Sequence, residues 1–315
     1  MKHQSVLLNE VIQNLKIKEN GIYVDATLGY AGHSQEILKK LTSGHLYGFD
    51  QDPIALIEAN KTLSTISDKF TIIDSNFVDI KEQLAKHNVE AIDGIIFDLG
   101  LSSPQIDDAL RGFSFMQEAT LDMRMNQRQK LDAQIIVNQY SLEELVNLFY
   151  VYAEEKMAKV IAKKIIEARS KKAIITTTEL VNIIEAAVGA KYFNKQHPER
   201  QIFQAIRIEV NSELVVLDKI LPQVIEMLNP GGRICIITFH SLEDRIVKHI
   251  FRKYAEVNEL VKGLPTIPQE YQPLLKIINK KPILPLEDEI NENSRSKSAK
   301  LRVGERIKNG KEKKS

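Results

Sequence analysis

The sequence predicts an α/β protein with a doubly wound, mostly parallel sheet that is interrupted by an all-helical domain. Strand-like apolar runs and amphipathic helical stretches alternate over the first hundred residues. About 95 residues follow that carry helical patterns but no comparable strand signal. The alternation then resumes near residue 201. Alternation at this spacing is typical of βαβ units and therefore of a parallel sheet.

The first part of the chain contains three strand-and-helix repeats and a fourth strand. Each predicted strand is short and apolar, and each ends in an aspartate. The alternation breaks after the fourth strand. The predicted strands are 21–25, 46–50, 70–74 and 92–98, and the predicted helices are 33–41, 53–63 and 78–87.

The rest of the chain divides into a helical part and a second α/β part. Thr176 and Glu179 have the spacing of a capping box, in which a hydroxyl and a carboxylate accept first-turn amides. We predict one sheet domain formed by 1–104 and 201–315 and an inserted helical domain over 105–200. The predicted elements are helices 142–169, 178–188, 203–228 and 246–254, a turn at Asn229-Pro-Gly-Gly232, and strands 233–239, 274–279 and 299–306.

Composition restricts the class of protein more than the net charge does. The net charge is only +1, and the single cysteine, Cys235, excludes an internal disulfide framework and is expected to be a buried small hydrophobe. No apolar run reaches the roughly 18 residues of a membrane span, so we expect a cytoplasmic protein. Residues 295–315 hold nine Lys or Arg against two Glu, and a second basic stretch runs from Lys156 to Lys172. Such stretches suit a polyanion, although a solvated tail and helix face explain them equally well.

The four strand-ending aspartates predict a ligand site. Ligands of doubly wound sheets bind outside the carboxyl ends of the strands, where Asp25, Asp50, Asp74 and Asp98 are expected to lie. After the first strand, the loop Gly29-Tyr-Ala-Gly32 has small residues that allow close backbone approach at the start of a helix. Helix caps or turns explain any one aspartate alone, but they explain the ordered set less well.

Two of these features favour a cofactor that contains adenosine. Asp50 follows Gly29 by 21 residues, the spacing at which an acid closing the second strand binds ribose hydroxyls. Phe77, just past the third strand, is placed to pack on an adenine ring. A nicotinamide enzyme would need G-x-G-x-x-G for its pyrophosphate, and that motif is absent here. S-adenosylmethionine has no pyrophosphate and is therefore the favoured cofactor. We predict no metal site.

Nine blocks of sequence, spread over nearly the whole chain, form an ordered set of motifs. They are His3-Gln-Ser-Val-Leu-Leu-Asn-Glu10, Asp25-Ala-Thr-Leu-Gly29, Phe49-Asp-Gln-Asp-Pro53, Phe97-Asp-Leu-Gly-Leu-Ser-Ser-Pro-Gln105, Arg111-Gly-Phe-Ser-Phe115, Leu121-Asp-Met-Arg-Met125, Phe203-Gln-Ala-Ile-Arg-Ile-Glu-Val-Asn211, Phe239-His-Ser-Leu-Glu-Asp-Arg245 and Ser298-Ala-Lys-Leu-Arg302. With these blocks in this order, the sequence resembles one family of bacterial enzymes, the small-subunit rRNA cytosine-N4 methyltransferases known as the RsmH or MraW family.

The resemblance implies a Rossmann-like methyltransferase domain with a helical substrate-recognition insertion. It also implies methyl transfer from S-adenosylmethionine to the N4 amine of cytidine 1402 in the decoding centre of 16S rRNA, with the small ribosomal subunit as partner. Two departures stand out: Ala31 replaces the first glycine of the usual Gly-Gly-His, and the stretch His197-Pro-Glu-Arg200 is atypical. The cofactor contacts carried over by the resemblance are Ala31, Gly32, His33, Asp50, Phe77, Asp98 and Gln105.

The catalytic groups are predicted from the chemistry of the acceptor. A cytosine amine is a poor nucleophile because its lone pair is delocalised, so acceptors aimed at its protons would help. Asp98, Ser102, Ser103 and His240 are the candidates, although the serines have the alternative role of stabilising a turn and His240 that of an ordinary loop residue. For RNA contacts, we predict Arg111, Arg124, Arg207 and the basic tail.

Three other functions stay open from the residues alone. A nucleotide-dependent oxidoreductase is disfavoured by the missing pyrophosphate motif. An RNA-binding assembly factor without catalysis is disfavoured by the intact set of strand-ending acids. A methyltransferase of the same fold acting on another nucleic acid or a small molecule is excluded only by the family resemblance. The oligomeric state is left open.

Overall fold

The structure is a computed structural model that describes residues 5–101, 108–257, 259–261, 263–268 and 271–307. It consists of two compact units. The first, here called the sheet unit, comprises Met1–Gly100 and Leu214–Ser315. The second, the helical unit, is Leu101–Glu213.

The sheet unit contains one seven-stranded sheet with strand order β3-β2-β1-β4-β5-β7-β6. The first five strands are parallel, and β7 is antiparallel to its neighbours β5 and β6. Chain order reverses between β1 and β4, which creates the crevice where doubly wound sheets bind ligands. The strands are β1 Ile22–Asp25, β2 His45–Asp50, β3 Phe70–Asp74, β4 Ile92–Asp98, β5 Leu228–Thr238, β6 Leu275–Ile277 and β7 Lys300–Arg306.

Helices cover both faces of this sheet. Neighbouring strand residues point to opposite faces, so Phe97 belongs to one hydrophobic cluster and Ile96 to the other. Strands buried on both faces have the continuous apolar sequences seen here. The predicted doubly wound α/β class is therefore confirmed. The helices that accompany the sheet are Leu8–Leu15, Gly32–Leu38, Pro53–Ser64, Ile80–Lys86, Glu213–Met227, Ser241–Ala255 and Glu287–Glu292.

The helical unit has its own hydrophobic core, in which Phe149, Ile161 and Ile206 are fully buried. The predicted capping box is present: the Thr176 side chain accepts from the Glu179 amide, and the Glu179 carboxylate accepts from the Thr176 amide. The helices are Ala133–Gln139, Leu142–Val151, Ala158–Arg169, Thr177–Val188, Ala190–Gln196 and Pro198–Asn211.

Two long helices predicted from sequence are wrong because the chain turns inside each. The predicted helix 142–169 is broken near Glu154, whose φ is 50°, and the predicted helix 203–228 is broken at Ser212, whose φ is 52°. An L-residue in this left-handed region ends an α-helix. The break at Ser212 also moves the predicted boundary, because 201–213 belong to the helical unit rather than to the sheet unit.

The predicted ends of two elements also shift. The turn expected at 229–232 lies inside β5, and the β4–β5 register shifts between Ile92 and Gly94, opposite this stretch. The helix predicted over 246–254 begins earlier, at Ser241. Cys235 is fully buried in β5, and burial raises the pKa of its thiol to about 12, as expected for a small core residue. Among the described residues, no helix is both long and apolar enough to span a membrane.

Candidate functional site

The four aspartates predicted to line one edge of the sheet do so. They end β3, β2, β1 and β4, which are adjacent and parallel, so Asp74, Asp50, Asp25 and Asp98 follow one another along the carboxyl edge. Asp50 and Asp74 are direct partners in the strand register. The reversal of chain order falls between Asp25 and Asp98.

The loop after β1 has the unusual backbone that small residues permit. Gly29 has φ of 48° and Ala31 has φ of 63°, both in the left-handed region. A Cβ added to Gly29 would meet only the Thr27 carbonyl oxygen, at 3.9 Å, whereas one added to Gly32 would lie 1.8 Å from Ser5 Oγ. Gly29 therefore leaves space that a ligand can approach. The space beside Gly32 is instead filled by Ser5 of the N-terminal segment.

Asp50 is held in place by backbone amides. Its Oδ2 accepts from the Gly29 amide at 2.8 Å, and its Oδ1 accepts from the amides of Gln51 at 2.8 Å and Asp52 at 2.9 Å. Burial raises the pKa of Asp50, while these three hydrogen bonds act against the rise. The carboxylate is therefore oriented before any ligand arrives, as a ribose-binding group needs to be.

Asp25 forms hydrogen bonds with the loop after β1 and with the helix that follows it. It is 2% exposed and accepts from the Ser34 hydroxyl at 2.7 Å and from the Thr27 amide at 3.2 Å. Burial raises the pKa of Asp25 to about 6 against these hydrogen bonds. Its oxygens accept from the loop and from the following helix, so its role in the structure is to fix the backbone of the loop after β1.

Phe77 stands at the far side of the same edge. It begins a short 3₁₀ helix, Phe77–Asp79, directly after β3, and the Asn76 side chain caps this helix by accepting from the Val78 amide. The Phe77 ring packs edge-on against Phe97, with centroids 5.5 Å apart and an interplanar angle of 88°. This contact fixes the ring beside the edge occupied by Asp50.

His33 links the loop to Asp98. Its Nε2 lies 3.0 Å from the Val6 carbonyl oxygen, and its Nδ1 lies 3.7 Å from Asp98 Oδ2. The carbonyl can only accept, so Nε2 carries a proton and Nδ1 faces the Asp98 carboxyl group. The side chain of His33 is thus directed toward protein groups, and it is 4% exposed as a residue.

Asp98 is the most perturbed group of the edge. Burial, together with the nearby carboxyl groups of Asp25, Glu243 and Glu289, raises the pKa of Asp98 to about 8. Its Oδ1 is buried and has no hydrogen-bond partner among the described residues. A buried carboxyl oxygen left without a partner is costly, and such perturbed groups concentrate at functional sites. Asp98 is therefore a candidate functional residue at this edge.

Glu243 and Glu289 were missed by the sequence reasoning. Glu243 has a signal that could have revealed it, since it stands three residues after His240 at capping-box spacing. Glu289 lies in the short acidic helix Glu287–Glu292 and has no such signal. It accepts from the Leu7 amide at 2.8 Å, and burial raises its pKa.

His240 has a structural role at the start of a helix. It is the N-cap of Ser241–Ala255: its Nδ1 accepts from the Glu243 amide at 3.4 Å, and the Glu243 carboxylate accepts from the Phe239 amide at 2.8 Å. His240 Nε2 lies 3.2 Å from Glu243 Oε1 without hydrogen-bond geometry. The structure thus ties His240 to helix capping. Ser102, Ser103 and Gln105, the other predicted site residues, lie outside the described residues.

The three arginines predicted to contact RNA are engaged within the helical unit. Arg111 is 6% exposed and donates to the carbonyls of Arg124 and Met125. Arg124 makes a bidentate ion pair with Asp122, at 2.8 and 2.7 Å. Arg207 makes a bidentate ion pair with Glu213, with both bonds at 2.8 Å. Planar guanidinium groups suit such paired contacts. These arginines hold the unit together.

Comparison with known proteins gives a consistent result along the whole chain. The sequence profile of the MraW methylase family matches residues 1–307. Ribosomal RNA small subunit methyltransferase H of Exiguobacterium sibiricum is 50% identical over 308 residues, which covers 98% of this chain and 99% of that protein. The protein of the same name from Limosilactobacillus fermentum is 53% identical over 309 residues, covering 97% and 98%. A solved rRNA methylase from Streptococcus thermophilus matches at a TM-score of 0.40 and 14% identity over 96% of this chain and 94% of that one, values too low to support an argument about function.

Proposed function

Because this chain belongs to the MraW methylase family, and is thus an S-adenosylmethionine-dependent methyltransferase of small-subunit rRNA, we propose that it methylates the exocyclic N4 amine of a cytidine in the decoding centre, at position 1402 of 16S rRNA. The observations that carry this proposal are the family match over residues 1–307 and the position of the Asp98 carboxyl group at the reversal of strand order. The cytoplasm, where ribosomal subunits are assembled, is the proposed location.

The residues at the carboxyl edge fit S-adenosylmethionine. The carboxylate of Asp50, oriented by three amides, would accept hydrogen bonds from the ribose. The Phe77 ring would pack on the adenine, and the open side of Gly29 leaves room for close approach of the backbone loop that continues through Ala31 and Gly32. When bound, the cofactor supplies a methyl group activated by a sulfonium.

The chain's own contribution to catalysis is positioning, since a displacement on an activated methyl group needs little covalent help. A cytosine amine must turn its lone pair toward the methyl group. An ionised Asp98 carboxylate would accept a hydrogen bond from that amine, which would fix the amine's orientation. In the free protein the raised pKa keeps Asp98 protonated at neutral pH. The positive charge of a bound sulfonium cofactor would favour the ionised carboxylate. His33 Nδ1 lies 3.7 Å from the Oδ2 atom of Asp98.

The direct test is methylation of small subunits that lack the modification. Purified protein, labelled S-adenosylmethionine and subunits from a strain without the enzyme are combined, and the modified nucleoside is mapped by mass spectrometry. We expect N4-methylcytidine at the decoding-centre cytidine, and loss of product with Asp50→Ala. Tight cofactor binding without transfer to subunits or free rRNA would refute the substrate assignment. Another nucleic acid or a small molecule would then be tested as the acceptor.

A further inference from the structure

The structure separates the basic residues of the helical unit into two groups. Arg111, Arg124 and Arg207 are occupied by carbonyls and carboxylates of their own unit, as described above. A polyanion would have to break those contacts to use them. Basic side chains without such partners are therefore the better candidates for an RNA surface.

One helix carries such side chains on a single face. In Ala158–Arg169, the residues Ala158, Ile161, Ala162 and Ile165 are buried in the core of the unit. Lys159 and Lys163, four residues apart, lie on the opposite side and are exposed, and Lys156 is exposed in the turn that leads into the helix. Among the described residues these three lysines have no ion pair or hydrogen bond. We call Lys156, Lys159 and Lys163 the lysine face.

Neighbouring lysines differ because carboxylates already neutralise them. Lys164 and Lys171 pair with Glu167 at 2.9 and 3.1 Å, and Lys172 pairs with Glu179 at 2.8 Å. Two residue groups of equal size and equal formal charge therefore lie within one stretch of chain. They differ in whether a carboxylate partner is present.

We propose that the lysine face binds phosphate groups of the rRNA substrate. The proposal rests on the proposed function, since it assumes that the acceptor is RNA. Ammonium groups on long flexible stems act as point charges toward phosphate and carry no sequence information. Binding there releases counterions from the RNA, so each phosphate contact adds to the salt dependence of affinity. The lysine face thus holds and orients the RNA, and the choice of base is made elsewhere.

A matched pair of triple variants tests this assignment. K156Q/K159Q/K163Q removes the lysine face, and K164Q/K171Q/K172Q removes the paired lysines with the same change in formal charge. Affinity of the full chain for unmodified small subunits and for 16S rRNA fragments is measured between 50 and 200 mM salt. Binding of S-adenosylmethionine to each variant, together with its thermal unfolding, shows that the chain is still folded.

The two variants are expected to behave differently. Loss of three phosphate contacts should flatten the slope of log affinity against log salt by about two to three. Wild-type affinity should then fall about 40-fold further than that of K156Q/K159Q/K163Q across this salt range. The paired-lysine variant should stay within about threefold of wild type.

The other outcomes overturn the proposal in distinguishable ways. Equal weakening by both variants would show that only overall charge matters, and no weakening by K156Q/K159Q/K163Q would place the RNA on another surface. In both cases the proposed function would stand. If wild-type protein itself bound neither subunits nor rRNA, the proposed function would fall together with the lysine face.

Discussion

Replacement of Asp98 by asparagine should stabilise the protein increasingly as the pH rises, while abolishing its activity. The structure gives the Asp98 carboxyl a pKa of about 8, because burial and three nearby carboxyl groups disfavour its charged form. In the unfolded chain its pKa is about 3.9. The native state therefore retains a proton that the unfolded state has released. Asparagine keeps the shape of the neutral form and cannot ionise.

The sign and size of the effect follow from proton linkage. Where the native state binds more protons, the free energy of unfolding falls by about 1.4 kcal/mol for each pH unit. For wild type this loss runs from about pH 4 to about pH 8. The advantage of Asp98→Asn over wild type should therefore grow by about 3–4 kcal/mol between pH 5 and pH 8.

The assay is urea unfolding of both proteins at unit steps of pH, with Asp93→Asn as a contrasting control. Burial raises the pKa of Asp93, but hydrogen bonds from Lys18 at 2.8 Å and the Ile22 amide at 3.0 Å outweigh it, so the pKa of Asp93 is lowered. Asp93 is ionised in both states above pH 5, so Asp93→Asn should destabilise by an amount that is constant over this range and shrinks only in acid. An Asp98→Asn effect that is equally flat with pH would refute a raised pKa for Asp98.

Three further predictions concern the same edge of the sheet. Gly32→Ala should destabilise the protein by about 1–3 kcal/mol in urea unfolding, because its new methyl would overlap Ser5 Oγ, and a second change, Ser5→Gly, should recover part of the loss. Ala31→Gly should change stability by less than about 1 kcal/mol and cofactor affinity by less than threefold. Glycine relieves the strain of an alanine in the left-handed region, and this gain offsets the loss of a buried methyl group and the greater freedom of the unfolded chain. A tenfold change in affinity, measured by calorimetry, would contradict this. Binding of S-adenosylmethionine should release up to one proton near pH 7, and its affinity should rise up to tenfold per pH unit between pH 6 and 8. S-adenosylhomocysteine, which lacks the sulfonium charge, should show a weaker pH dependence. Calorimetry in two buffers of different ionisation enthalpy measures the proton release, and an undiminished release in Asp98→Asn would assign the proton to another group.

The sheet and its ligand edge could be predicted because their signals are local. A strand that ends in aspartate places its carboxylate at the carboxyl edge wherever the strand sits in a parallel sheet. Asp25, Asp50, Asp74 and Asp98 therefore fall at the carboxyl ends of adjacent parallel strands, as expected. Their different roles follow from burial and from tertiary contacts, which the sequence pattern does not reveal. Asp25 supports the loop, Asp50 is held by amides, and Asp98 has an unpartnered oxygen.

The errors share a physical cause as well. Glu154 and Ser212 break two apparently continuous helices by adopting left-handed backbone conformations, and neither is a glycine or proline that would mark the break in the sequence. The carboxyl groups around Asp98 were missed for a different reason. Glu243 and Glu289 come from segments more than 140 residues further along the chain, and only the folded sheet brings them together.

The N-terminal segment packs against residues predicted to contact the cofactor. Ser5 occupies the space that Gly32 leaves open, the Val6 carbonyl accepts from His33, and the Leu7 amide donates to Glu289. Each of these contacts ends on a residue of the loop after β1 or of the group around Asp98. A change at Ser5 or Leu7 would therefore shift residues at the carboxyl edge of the sheet. Ser5, Val6 and Leu7 pack with Gly32, His33 and Glu289 as one structural unit, so a substitution at Gly32 should be tolerated only with a compensating substitution at Ser5.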